Sequence, residues 1–310
     1  MPENLTFEDL GPSLTPQRRS DGAFQSVGVI GLGVMGQGIV ETIANAGIEV
    51  IGVEKNEASL RNALDGLGRT IDTEIKRWSK TTSEKRAILS RVRGKTDLKE
   101  LKECDIVIEA VDENFELKKR VLQEFYGVGK TDAVFISNTA TLSLSKLAEA
   151  SPHPDKIIGM HFLNPVPQVA LVEIVRALKT SDQTYELVKA FASKIGKTPV
   201  EVFEYPGFIT TRIILPMLNE AMHLLMEGNA KADAIDTAMR LGYGMQSGPL
   251  EMADTMGLDE VLMWMETIYH ELGEPRFRPC PLLRRMVREG RLGKKTGEGF
   301  FRYNEDGKRL

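Results

Sequence analysis

Hydrophobic positions near the start of the chain predict short buried strands that alternate with helices. Residues Ser26–Gly31 form a β-branched apolar run that ends in glycine, which is typical of a buried parallel strand. Helix-compatible spacing follows over Gly36–Ala46, and Ile48–Val53 supplies a second apolar run. The pattern therefore predicts a βαβ unit.

The same alternation continues to about residue 204. Further strands are predicted at Cys104–Glu109, Ala133–Ser137, Lys156–His161 and Ala170–Val175, with helices at Leu117–Tyr126 and Leu144–Ala150. Residues 57–93 are mostly charged and favour helix with few breakers. Because this segment is longer than an ordinary connection, it predicts a helical insertion that projects as a pair of helices.

The pattern changes after Glu204. Residues Gly207–Arg288 are rich in Leu, Met, Ala and Glu at helical spacing and contain no convincing strand. We therefore expect an all-α C-terminal domain at 205–310 after an α/β domain at 21–204. Residues 1–20 hold proline and glycine without sustained periodicity, which predicts a flexible N-terminal arm.

Composition excludes several classes of protein. The 310 residues include 40 basic and 44 acidic side chains, and a net charge of -4 gives no attraction to nucleic acid. No run reaches the roughly 18 apolar residues of a membrane span, so no membrane partner is expected. The two cysteines, Cys104 and Cys280, form no metal-binding motif and fit a reducing, cytoplasmic compartment.

A glycine-rich loop lies directly between the first strand and the first helix. In Gly31–Gly36, Gly31 permits a tight turn, Gly33 lets the backbone approach a pyrophosphate, and Gly36 lets the helix pack on the strand. The helix N-terminus then faces the phosphates. This context predicts a Rossmann-type dinucleotide-binding domain whose cofactor contacts include Gly31, Gly33, Met35 and Gly36.

Glu54 follows the second strand, eighteen residues beyond Gly36. A carboxylate at this place accepts hydrogen bonds from the hydroxyls of the adenine ribose and repels a 2'-phosphate. Glu54 therefore favours NAD over NADP as the cofactor.

His161 is the candidate general base. It ends an apolar strand where such sheets open their ligand crevice, and imidazole titrates near neutrality. The chain turns at Asn164–Pro167 and returns, so antiparallel pairing could set Glu173 beside His161 and fix its tautomer. The alternatives are a histidine satisfied in the core and an ordinary salt bridge from Glu173 to Arg176.

Ser137–Ser143 follows another strand end, so its hydroxyls and amides could reach the same crevice. They could equally cap the helix that begins near Leu144. Spacing alone does not separate these two roles.

Together these motifs resemble the L-3-hydroxyacyl-CoA dehydrogenase family, particularly its bacterial 3-hydroxybutyryl-CoA members. The resemblance extends from about Gln25 to Tyr303. The matching segments are Gly31–Gly36, Ser137–Thr139, His161–Pro167, Leu171–Glu173, Pro206–Ile209 and Lys295–Phe300. Their order and combination are far more specific than any one of them.

The resemblance implies roles for individual residues. His161 is then the catalytic base, Glu173 its orienting partner, and Ser137 a hydrogen-bond donor to the reacting oxygen. Three further NAD contacts are implied, with Glu113 and Lys118 on the ribose side and Asn164 at the nicotinamide. The chain departs from the family pattern at Thr211, where the family has an active-site asparagine. A threonine hydroxyl lacks the reach and the second donor of an amide.

The resemblance also implies the reaction and its setting. NAD binds the first domain, the acyl-CoA substrate lies in the cleft between the domains, and the C-terminal domain forms a homodimer. The expected activity is the interconversion of L-3-hydroxyacyl-CoA and 3-ketoacyl-CoA in fatty acid metabolism, without a metal. Two rivals stay open: a dehydrogenase of a non-CoA hydroxy acid on the same fold, and a non-catalytic NAD-binding scaffold.

Overall fold

The computed structural model describes residues 24, 26–77, 79–304 and 307–310. These residues divide after Glu204 into two units, which we call the sheet unit and the helical unit. The arm predicted at residues 1–20 lies outside the described residues.

The sheet unit is built on one sheet, which has eight strands in the part of the chain that is described. They are β1 (Ser26–Ile30), β2 (Glu49–Val53), β3 (Val92–Lys95), β4 (Ile106–Glu109), β5 (Val134–Ser137), β6 (Ile157–Phe162), β7 (Leu171–Arg176) and β8 (Thr198–Phe203). The strand order is β3-β2-β1-β4-β5-β6-β7-β8. β1 to β6 are parallel, β7 runs antiparallel to β6, and β8 is parallel to β7. The carboxyl ends of six strands therefore meet at one edge.

Among the described residues, six α-helices connect these strands: α1 (Val34–Asn45), α2 (Glu57–Lys76), α3 (Thr82–Leu89), α4 (Phe115–Tyr126), α5 (Leu144–Glu149) and α6 (Asp182–Lys194). Local sequence explains several of their starts. The Asn56 side chain accepts a hydrogen bond from the Ser59 amide at 2.8 Å, and Thr81 forms a capping box with Glu84. These two N-caps fix the starts of α2 and α3 at the residues where the helical hydrophobic spacing begins.

The segment at 57–93 is a pair of helices, but it differs from the projecting insertion expected. α2 and α3 connect β2 to β3, and their residues Leu67, Ile71 and Ile88 are buried in the core of the sheet unit. Arg93 already belongs to β3. The segment is thus a crossover between neighbouring parallel strands, which has to pack on the sheet.

The hydrophobic pattern did not reveal β3, α6 or β8. β3 and β8 are the two edges of the sheet, so neither strand is buried on all sides. Arg93 and Gly94 interrupt the apolar run of β3, and Glu201 is exposed in β8. An edge strand of this kind lacks the continuous apolar run that marks a central parallel strand.

The helical unit contains α7 (Thr210–Met226), α8 (Ala232–Tyr243), α9 (Pro249–Met256), α10 (Leu258–Leu272) and α11 (Pro281–Arg288). Leu218, Met222 and Met265 are among the fully buried side chains of its core. No helix in the described ranges is long and apolar enough to cross a bilayer. An α/β sheet unit followed by helices confirms the predicted fold class.

Candidate active site

The glycine-rich loop lies at the point where the strand order reverses, because β1 has β2 on one side and β4 on the other. Gly31 has a φ of 87°, and a Cβ at Gly36 would lie 1.9 Å from the Gly31 oxygen. A Cβ at Gly33 would meet nothing within 4 Å, at the start of α1. The loop therefore leaves open space beside a helix N-terminus, which fits the pyrophosphate of a dinucleotide.

Glu54 lies at the carboxyl end of β2, next to this loop. Its Oε1 accepts a hydrogen bond from the Leu32 amide at 2.7 Å, and its Oε2 accepts one from the Lys55 amide at 3.1 Å. The half-buried carboxylate is held beside the phosphate loop, where an adenine ribose would bind. Met35 is also half-buried, and it packs against the core of the sheet unit.

His161 and Glu173 are directly opposite each other on β6 and β7. The His161 Nδ1 is 2.7 Å from the Glu173 Oε2, and both residues are buried. The predicted antiparallel pairing is confirmed. Arg176, the alternative partner of Glu173, pairs with Asp182 at 2.5 Å and with Glu201 at 3.3 Å.

A buried carboxylate that the sequence analysis missed ends β4. The Glu109 Oε1 accepts hydrogen bonds from the Lys118 Nζ at 2.7 Å and from the Val111 amide at 2.8 Å. The Glu109 Oε2 accepts one from the Ser137 Oγ at 2.7 Å. A carboxylate that closes an apolar strand was the available signal, because a buried charge is costly unless it is paired.

Glu113 anchors the loop that follows β5. Its Oε1 accepts hydrogen bonds from the Thr139 Oγ1 at 2.6 Å, the Ala140 amide at 2.8 Å and the Thr141 amide at 2.9 Å, and its Oε2 is 3.5 Å from the Lys118 Nζ. Burial alone would raise the pKa of Glu113, but Lys118 and these donors lower it below its usual value. Glu113 is therefore a carboxylate anion at neutral pH.

Ser143 has the capping role that the sequence analysis left open. Its hydroxyl oxygen accepts a hydrogen bond from the Lys146 amide at 3.2 Å at the start of α5 and donates one to Glu204 at 2.7 Å. Ser137 lies at the end of β5 and pairs with Glu109 instead. The two serines of this loop therefore have different roles.

The loop after β6 carries Asn164, which is exposed.

Lys197 is a second buried charged residue that the sequence analysis did not single out. It donates a hydrogen bond to the Val169 carbonyl at 2.7 Å and another to the Val166 carbonyl. Burial lowers the pKa of Lys197. Asn138 accepts a hydrogen bond from the Phe162 amide at 3.0 Å, which joins the ends of β5 and β6.

Thr211 lies in the helical unit, in the first turn of α7, and is buried. Gly207 and Phe208, just before this helix, have φ values of 82° and 50°. A positive φ at a phenylalanine is uncommon, and such backbone strain is concentrated at functional sites.

These features define the class of protein as a nicotinamide-dependent dehydrogenase. They are a doubly wound parallel sheet, a glycine-rich phosphate loop at its switch point, a carboxylate at the ribose position and a buried histidine-carboxylate pair. Comparison with known proteins agrees. The family model for the NAD-binding domain of 3-hydroxyacyl-CoA dehydrogenase matches residues 26–205, and that for the C-terminal domain matches residues 207–303.

Individual relatives share most of their length with this chain. A probable 3-hydroxybutyryl-CoA dehydrogenase of Deinococcus radiodurans is 41% identical over 276 residues, which cover 89% of this chain and 99% of that protein. A 3-hydroxybutyryl-CoA dehydrogenase of Bradyrhizobium diazoefficiens is 39% identical over 279 residues, which cover 90% of this chain and 95% of that protein. The crystal structure of (S)-3-hydroxybutyryl-CoA dehydrogenase from Ralstonia eutropha matches with a TM-score of 0.84 and 41% identity, covering 91% of this chain and 100% of that one.

The chain belongs to the 3-hydroxyacyl-CoA dehydrogenase family. The predicted family, the NAD cofactor and the enzyme class, an NAD-dependent dehydrogenase, are confirmed. The roles of individual site residues stay predictions.

Proposed function

We propose that this chain interconverts short L-3-hydroxyacyl-CoA and 3-ketoacyl-CoA, of the 3-hydroxybutyryl-CoA and acetoacetyl-CoA type, with His161 as general base. The buried His161–Glu173 pair at the carboxyl end of β6 carries the proposal. It lies in an NAD-binding domain whose glycine-rich loop fits a pyrophosphate. The relatives named above act on 3-hydroxybutyryl-CoA by their names, which supports the same short substrate.

In this proposal each side chain has one step. Bound NAD would supply the acceptor for the hydride that leaves C3 of the alcohol. The Glu173 carboxylate accepts a hydrogen bond from the Nδ1–H group of His161. Nε2 is then the unprotonated nitrogen, and it takes the hydroxyl proton of the substrate. The Glu173 carboxylate also stabilises the imidazolium that forms. The alcohol loses one proton and one hydride, and its C3–O bond becomes a carbonyl.

Replacement of the base tests this assignment. We expect His161→Gln to lower kcat by about 100-fold or more, the usual scale for loss of a general base, while NADH still binds. Glu173→Gln should also slow turnover, because it removes the charge that stabilises the imidazolium. The measurements are NADH absorbance with acetoacetyl-CoA and a fluorescence titration of NADH. Near-normal kcat in His161→Gln would return His161 to a structural role.

The same assay separates the rival functions. A dehydrogenase of free hydroxy acids would turn over 3-hydroxybutyrate as efficiently as its CoA thioester. A non-catalytic scaffold would bind NADH without turnover of any thioester. A panel of thioesters of increasing chain length, assayed in both directions, would define the acyl range.

We propose that Glu113 and Asn164 contact NAD directly and that Lys118 acts through Glu113. Asn164 is exposed on the loop after β6, and the Glu113 side chain keeps 12% of its surface exposed. Lys118 is 1% exposed, lies 3.5 Å from Glu113 and donates to Glu109. These positions support a ribose and nicotinamide site along the carboxyl edge of the sheet.

We propose that the chain forms a homodimer through its helical unit. Leu241 and Tyr243 at the end of α8 are 81% and 80% exposed, and Ile213 on α7 is 68% exposed. Large apolar side chains that remain on a surface often mark a protein interface.

A cytoplasmic location is proposed as well. Cys104 and Cys280 are both free, buried thiols, as expected in a reducing compartment. Fractionation of cells that express the chain tests this location.

A further inference from the structure

Four polar side chains share one face of the central sheet. Residues paired in neighbouring strands point to the same face, and so do residues two apart along a strand. Glu109 is paired with Ser137, and Ser137 is paired with Gly159. His161 lies two residues beyond Gly159 and is paired with Glu173. Glu109 and Ser137 therefore lie on the face that carries the proposed base.

Glu109 is a buried carboxylate that pairs with a lysine. It is 0% exposed, and a buried carboxylate is costly unless it is paired. Both groups on its Oε1, the Lys118 ammonium and the Val111 amide, can only donate. Burial alone would lower the pKa of Lys118, but the attraction of Glu109 and Glu113 raises it above its usual value. Lys118 therefore stays charged, and its ammonium pairs with the Glu109 carboxylate.

Proton counting then fixes the direction of the Ser137 hydrogen bond. The Ser137 Oγ is 2.7 Å from the Glu109 Oε2, and an ionised carboxylate has no hydrogen to donate. Ser137 has a single hydroxyl hydrogen, which must therefore point at Glu109. Only the lone pairs of the Ser137 oxygen remain for any other partner.

We propose that Glu109 is a positioning residue that holds Ser137 as a hydrogen-bond acceptor toward the bound nicotinamide carboxamide. The carboxamide carries N–H donors, whereas the ketone has only acceptors and the alcohol gives its one proton to His161. Among the groups at the reacting centre, the carboxamide is thus the one that matches Ser137. This inference rests on the proposed function, and it reverses the donor role toward the reacting oxygen that the resemblance implied for Ser137.

Two cofactors test the direction of this bond. In the 3-acetylpyridine analogue of NAD, a methyl ketone replaces the carboxamide, so the N–H donors are absent. Ser137→Ala should lower kcat/KM with NAD by about fivefold or more, the usual scale for one hydrogen bond, and leave kcat/KM with the analogue nearly unchanged. Fluorescence titration without substrate should show the same pattern in the Kd values, with weaker binding of NADH and unchanged binding of the reduced analogue. Equal losses with both cofactors would place Ser137 on the acyl substrate and overturn the proposal.

Glu109→Gln tests the positioning role. The new amide oxygen keeps the donors Lys118 and Val111, so its NH2 group faces Ser137 and donates to it. The Ser137 hydrogen is then released toward the ligand, where it suits the ketone of the analogue. We expect the ratio of kcat/KM for NAD to kcat/KM for the analogue to fall by about tenfold. This fall should disappear in the Ser137→Ala background.

Glu41→Gln is the matched control. Glu41 is another carboxylate of the sheet unit, 1% exposed, and it pairs with Lys80 at 3.0 Å. Burial raises the pKa of Glu41 to about 7, so this comparison is made at pH 8, where the carboxyl is ionised. Replacement of Glu41 should leave the cofactor ratio unchanged there. A general effect of losing a buried charge would change the ratio in this variant too. An unchanged ratio in a Glu109→Gln protein that folds, as judged by circular dichroism, overturns the proposal. If Glu109→Gln does not fold, the Ser137→Ala comparison decides alone. Failure of the proposed function is distinguishable, because the wild type would then turn over no thioester with either cofactor.

Discussion

Thr211 places a hydroxyl where the family pattern has an amide. It lies in the first turn of α7 and is 5% exposed, so its hydroxyl is not simply solvated. A threonine hydroxyl has one donor, whereas an asparagine amide has two donors and a carbonyl. The substitution therefore removes hydrogen-bonding capacity at a position where the family resemblance implies an active-site residue.

We expect Thr211→Asn to raise kcat/KM for acetoacetyl-CoA by about two- to tenfold, because one good hydrogen bond contributes roughly 0.5 to 1.5 kcal/mol. A panel of CoA thioesters is the measurement, and Thr210→Asn, one residue earlier, is the control. A gain for the short substrate with a loss for a bulkier one would indicate a pocket shaped around threonine. Unchanged kinetics with every thioester would show that position 211 does not touch the chemistry.

At the level of secondary-structure elements, Asp254 ties α9 to the C-terminal segment. It accepts hydrogen bonds from the Phe300 amide at 2.9 Å, the Phe301 amide at 3.0 Å and the Tyr303 hydroxyl at 2.8 Å. A Cβ at Gly299 would lie 2.0 Å from its Oδ1. The glycine in this part of the Lys295–Phe300 motif is therefore required by the approach of the backbone to Asp254.

Burial of Asp254 makes the stability of the helical unit depend on pH. Burial raises the pKa of Asp254 from 3.8 to about 6, although its three donors oppose the change. A raised pKa in the folded state means that this carboxyl stabilises the fold fully below about pH 4 and that the contribution is lost as pH rises through about 6. Two pKa units correspond to roughly 3 kcal/mol.

We expect Asp254→Asn to be more destabilising at pH 4 than at pH 7, by about 2 to 3 kcal/mol, because the amide does not titrate. The measurement is urea unfolding of both proteins at a series of pH values. Tyr303→Phe is the diagnostic variant: it removes one donor to the Asp254 anion and should move the transition to higher pH. A stability difference that does not change with pH would contradict the prediction.

At the scale of the whole molecule, the proposed homodimer predicts a mass of twice the 34.4 kDa chain in solution. Replacement of both Leu241 and Tyr243 by lysine should shift the mass to that of the monomer, because charges would occupy the apolar contact. Light scattering after size-exclusion chromatography measures this. Leu178→Lys, at a 91% exposed position of the sheet unit, should leave the dimer intact. A monomeric wild type at micromolar concentration would refute the interface.

Part of the fold and of the site could be predicted from the sequence alone. The strands Ser26–Ile30 and Glu49–Val53 and the glycine-rich loop that follows the first of them were predictable, because periodicity and glycine placement are local properties. The His161–Glu173 pair was also within reach, since a single turn separates residues only 12 positions apart. Glu109 was missed, because its partner Ser137 lies 28 positions away on another strand.

The sequence by itself determined the cofactor-binding loop, the change from alternating strands to helices near Glu204, and the residues that could act as base and partner. These depend on side-chain type and short spacing, which a chain carries before it folds. Only the tertiary structure decided the strand order, the edge positions of β3 and β8, and the direction of the Ser137 hydrogen bond. Those depend on which distant strands lie side by side and on which buried charges must be paired, and both arise only when the core excludes water.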